Sequence, residues 1–68
     1  MEALSLEKVF DLLGTRNVPG NPKQLDALCR RLAELVILNG EPWVRANRRR
    51  LLDEWHVAVG YRHPDRGP

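Results

Sequence analysis

Asn21-Pro22-Lys23-Gln24-Leu25-Asp26-Ala27-Leu28-Cys29-Arg30-Arg31-Leu32-Ala33-Glu34-Leu35-Val36-Ile37-Leu38-Asn39-Gly40 contains a helix start, an apolar stripe and a helix stop. The Asn21 side chain can accept from the backbone N–H three residues on, and Gln24 can reach back to complete a capping box. Pro22 at the first helical position loses nothing by lacking an N–H, because that donor has no intrahelical acceptor anyway. Leu25, Leu28, Cys29, Leu32, Leu35 and Val36 recur at three- and four-residue spacing, with Lys23, Asp26, Arg30, Arg31 and Glu34 off the stripe. The spacing predicts a helix over about 22–38, ended by Asn39-Gly40. Its last turn departs from the pattern. Leu35-Val36-Ile37-Leu38 is apolar all round, so that end needs cover from more than one side.

On the N-terminal side, Ser5 is a good helix cap, followed by Leu6, Val9, Phe10 and Leu13 at i, i+3, i+4 and i+7. Leu4 and Val9 occupy the two positions of a hydrophobic staple, and Gly14 can close the C-terminus in a left-handed conformation. A helix over about 6–13 is expected. The Thr15–Gly20 loop turns at Pro19-Gly20, and Val18 is expected to plug back onto the core. On the C-terminal side, Pro42 after Glu41 opens a third helix over about 42–59. Its stripe is Val44, Leu51, Leu52, Trp55, Ala58 and Val59, with Gly60 as the stop.

No run alternates apolar and polar residues between turn signals, so no strand is expected. The chain reads as all-α, a compact three-helix domain over 1–60 with a loose C-terminal tail over 61–68. The expected core is Val9, Phe10, Leu13, Leu25, Leu28, Leu32, Leu35, Leu51 and Trp55. Arg48 falls inside the stripe of the third helix. A charge there calls for a carboxylate from another helix, with Asp11, Glu7 and Glu34 as candidates, since an unpaired one costs several kcal/mol to desolvate.

With 68 residues the chain is close to the lower limit for a core that folds unaided. Cys29 is the only cysteine, so no disulfide can form within the chain, and self-association is a natural source of extra stability. There is no apolar run long enough to span a bilayer and no basic-then-apolar secretory signal, so a soluble cytoplasmic protein is expected.

Catalysis needs reactive groups converging in a pocket. The candidates here are Cys29, His56, His63 and scattered carboxylates. Cys29 lies on the apolar stripe with no histidine at helical spacing to lower its pKa, so it reads as a small hydrophobe. His56 falls on the exposed side of the third helix and His63 in the tail, with no ligand pair at i, i+4 beside either. The glycines are isolated and form no phosphate-binding loop. The reading is of a non-enzyme with no metal and no cofactor.

Two binding readings remain. The net charge is +2, and its positive part lies in residues 41–68, where Arg45, Arg48, Arg49, Arg50, Arg62 and Arg66 face Glu41, Asp53, Glu54 and Asp65. Trp43 beside the arginines gives this stretch a nucleic-acid look, through phosphate contacts and stacking. The arginine set for DNA or RNA would be Arg45, Arg49, Arg50, Arg62 and Arg66. Two of these have acids at i+4, Arg49 with Asp53 and Arg50 with Glu54, which leaves Arg45, Arg62 and Arg66 as the free cations. A helix-turn-helix reading suffers from the apolar end of the second helix and from Trp43 where a base-reading residue should stand.

The favoured reading is a protein-interaction module, self-associating or binding another protein, with Ile37, Leu38 and Trp43 as its contact residues. The turn between the second and third helices brings these three apolar side chains to one corner. A small bundle has too little interior to hide them all, and tryptophan is enriched at interface hot spots.

Overall fold

The computed structural model describes residues 3–60. They form four helices in chain order, α1 (Leu6–Leu13), α2 (Pro22–Asn39), α3 (Glu41–Ala46) and α4 (Arg48–Ala58), and no strand is present among the described residues. The protein is all-α.

The caps form as their sequence implies. The Ser5 side chain accepts from the Lys8 N–H at 3.2 Å, and Gly14 closes α1 at φ 72°, donating to the Phe10 carbonyl at 2.9 Å. At the start of α2 the Asn21 side chain accepts from the Gln24 N–H at 2.8 Å, and the Gln24 side chain accepts from the Asn21 N–H at 2.9 Å. Gly40, at φ 89° and ψ 157°, makes the one-residue turn into α3. An L-residue rarely adopts that backbone conformation, which is why a glycine separates the two helices.

The single third helix expected over 42–59 is interrupted. Asn47, at φ −105° and ψ 12°, separates α3 from α4. Its side-chain amide donates to the Trp43 carbonyl at 2.8 Å, and its backbone N–H reaches the same carbonyl at 3.0 Å. An asparagine amide competes in this way with the helical ladder for the carbonyl one turn back. The break lets α3 follow α2 while α4 turns to lie against α1.

The core contains Val9, Leu12, Leu13, Leu28, Cys29, Leu32, Ala33, Leu35 and Val44, contributed by α1, α2 and α3. Phe10, Leu25, Leu51 and Trp55, expected inside, are only half-buried, and α4 contributes no fully buried residue. The interruption at Asn47 accounts for Leu51 and Trp55, whereas Phe10 and Leu25 belong to α1 and α2 and lie at the rim of the core. The interruption leaves the stripe of α4 against the edge of the core, while Val44, before it, is fully inside. Val18 is half-buried on the core, and the Trp55 indole N–H donates to the Pro19 carbonyl at 2.8 Å, tying α4 to the loop before α2.

Candidate functional site

The turn joining α2 to α3 carries the three predicted contact residues. Ile37 and Leu38, in the last turn of α2, are 64% and 75% exposed. Trp43, one turn into α3, is half-buried and packs against the core. The helical repeat accounts for this split. Leu28, Leu32 and Leu35 line the inner side of α2, Ile37 falls on its outer side, and Leu38 lies at the edge of the inner side, one turn beyond Leu35 where the helix ends. Nothing else among the described residues covers them.

A second apolar feature lies alongside. Leu28, Leu32 and Leu35 of α2 and Leu51, Trp55 and Ala58 of α4 line a groove of about 250 Å³, with Arg31 on the α2 side and Glu54 on the α4 side. The groove exists because α4 leans on α1 and the 15–20 loop, so its stripe stops short of α2. The apolar pattern of α4 announced a buried face in the sequence, but only the break at Asn47 shows that the face is left partly open.

The arginines are placed differently from expectation. Arg45, read as free, reaches Asp11 at 2.8 Å and Glu41 at 3.6 Å, and Lys8 reaches Glu41 at 3.0 Å, so these four side chains tie α1 to α3. A hydrogen bond from Arg45, together with its charge, holds the Asp11 carboxyl below the ordinary carboxylate range. Lys8 does the same to Glu41, again chiefly by hydrogen bonding and then by charge, with Arg45 adding to it. The Arg45–Asp11 pairing joins residues 34 apart in sequence, which no i, i+4 rule anticipates.

Arg48 is exposed and forms no ion pair among the described residues. All three candidate acids are engaged elsewhere: Asp11 with Arg45, Glu7 with Arg16 at 2.9 Å, and Glu34 with Arg31 at 3.7 Å. The break at Asn47 makes Arg48 the first residue of α4 and carries it over the end of α1. Its Cδ and Nε come within 3.6 Å of where a Gly14 Cβ would stand. There the cation sits beside the negative end of the α1 dipole and needs no carboxylate.

Of the two i, i+4 pairs expected in α4, Arg50–Glu54 forms at 3.6 Å. Arg49 is exposed and makes no ion pair with Asp53. Arg62, Arg66 and His63 lie outside the described residues, as does the rest of the 61–68 tail. His56 is half-buried. Cys29 is buried in the core, and that burial, with the nearby Asp26 charge, pushes its thiol pKa up and away from reactivity. Among the described residues no three His, Cys, Asp or Glu side chains come together in a way that could hold a metal ion, and no helix is long and apolar enough to cross a membrane.

No protein-family model, no curated protein and no solved structure matches this chain.

Proposed function

We propose that this chain is a small non-catalytic protein-interaction module whose contact surface is the corner formed by Ile37, Leu38 and Trp43. The observation that carries the reading is the exposure of Ile37 and Leu38, at 64% and 75%, on consecutive positions of the longest helix. Two exposed branched apolar side chains at the end of α2, a few residues before a half-buried tryptophan, are stabilised when another surface removes them from water, at about 25 cal/mol per Å². Trp43 supplies an anchor already held by the core, so little of its rotamer freedom remains to be lost on binding.

The alternative, DNA or RNA binding, rests on Arg48 and Arg49, which are exposed and form no ion pair among the described residues. The Arg45 pairing with Asp11 and Glu41 weakens it, and so does the Arg50–Glu54 pair. Phosphate-driven binding falls steeply as salt rises, whereas apolar burial does not. Capture of a partner protein and, in parallel, of DNA and RNA, measured at low and high salt for the wild type, Leu38→Asp and Arg49→Glu, separates the two readings. The module predicts loss with Leu38→Asp and little change with Arg49→Glu or with salt. Loss confined to Arg49→Glu, with a steep salt slope, would refute it.

A further inference from the structure

The groove between α2 and α4 is smaller than the roughly 300–1,000 Å³ of a typical small-molecule site. Its volume of about 250 Å³ and its apolar lining suit a few inserted side chains. The same chain carries such side chains on an adjoining surface. Leu38 lies three residues after Leu35 and seven after Arg31, so it extends the same side of α2 one turn beyond the groove. It is 75% exposed, whereas Leu35, one turn back, is buried.

The flanks of the groove carry opposite charges, Arg31 from α2 and Glu54 from α4. Each is tied only to an exposed neighbour on its own helix, Arg31 to Glu34 at 3.7 Å and Glu54 to Arg50 at 3.6 Å. A two-fold axis makes residue i of one copy meet residue j of the other and the reverse. A surface with one positive and one negative flank is therefore complementary to itself.

We infer that the occupant of the α2–α4 groove is a second copy of this chain. The two copies pair about a two-fold axis that runs beside α2 near Leu35. Leu38 of each copy enters the groove of the other, and Arg31 of each meets Glu54 of its partner. The pairing completes the burial of Leu51 and Trp55, which the single chain leaves half-exposed. It rests on the interaction reading above and names the partner for part of that corner.

Sedimentation of the full chain over a range of concentrations tests it. The wild type should pass from 7.8 kDa to twice that mass. Leu38→Asp should abolish the transition, and because Leu38 is exposed the variant should keep its helical circular dichroism. Arg31→Glu and Glu54→Arg, each alone, place like charges together at both flanks and should weaken pairing by about tenfold. Mixed with one another, these two variants place opposite charges at both flanks and should pair as well as the wild type. An intramolecular role for the two residues cannot produce that recovery.

A wild type that stays at 7.8 kDa at every concentration overturns the inference, as does a mixture that pairs no better than the separate variants. If the wild type is monomeric yet binds another protein in a manner lost with Leu38→Asp, the second-copy inference falls and the interaction module stands. If neither association occurs, both fall.

Discussion

At Gly14 the backbone sits at φ 72°, a conformation that costs a residue with a Cβ roughly 1–2 kcal/mol. The space itself is tolerant, because an added Cβ would stand 3.6 Å from the Arg48 side chain, an ordinary contact. Gly14→Ala should therefore destabilise the fold by about 1–2 kcal/mol through backbone strain, read as a lower urea midpoint. An unchanged midpoint would show that α1 does not end in the left-handed conformation.

A second residue-scale effect is set by pH. Arg45 and Lys8 hold the Asp11 and Glu41 carboxyls below the ordinary carboxylate range, so each ionises more readily in the folded chain than in the unfolded one. The stability this contributes is complete above the ordinary range. It declines as pH falls through that range and is gone once pH has passed the lowered folded values. Asp11→Asn should flatten the acid limb of the stability profile and leave the rest of the curve in shape. Salt should diminish the effect, since all four groups are solvent-accessible. An acid limb identical in Asp11→Asn and wild type would show that the network does not set it.

Among the elements, α1 and α2 could be read from the chain because their signals are local. Ser5, Gly14, Asn21, Pro22 and Gln24 act on backbone groups within one turn of themselves, and the structure uses each in that way. The third helix was harder to read. Its start and overall span were visible in Pro42 and the apolar stripe, but Asn47 looks like any polar helix residue until its amide is seen on the Trp43 carbonyl. The errors at Arg48, Leu51 and Trp55 follow from that one break, which resets the direction of every side chain after it. Arg45 was misread for a different reason, since its partner Asp11 is brought near only by tertiary packing.

The Trp55 indole N–H to the Pro19 carbonyl tethers α4 alongside the packing of Leu51, Leu52 and Trp55 on the core, since the helix buries no side chain completely. Trp55→Phe keeps most of the apolar surface and removes that bond. It should cost about 1 kcal/mol and speed amide exchange in α4 more than in α2. Equal acceleration in both helices would mean that α4 is not a separately tethered element.

Taken whole, the molecule has a closed centre and an unfinished side. Val9, Leu12, Leu32 and Val44 are fully enclosed where α1, α2 and α3 meet, while Leu51, Trp55 and Leu38 line or adjoin a groove open to solvent. The sequence indicated the excess of apolar surface, since the residues around Leu35–Leu38 and Trp43 outnumber the places such a small interior offers. The groove was not legible, because it depends on how far α4 stands from α2. Residue-resolved hydrogen exchange on the full chain, compared between dilute and concentrated solution, tests this division most directly. The account predicts that amides of Leu28–Leu35 are protected at both concentrations. Those of Leu51–Ala58 should exchange readily when dilute and become protected as the copies pair. Protection of α4 that is already equal to that of α2 in dilute solution, and indifferent to concentration, would contradict it.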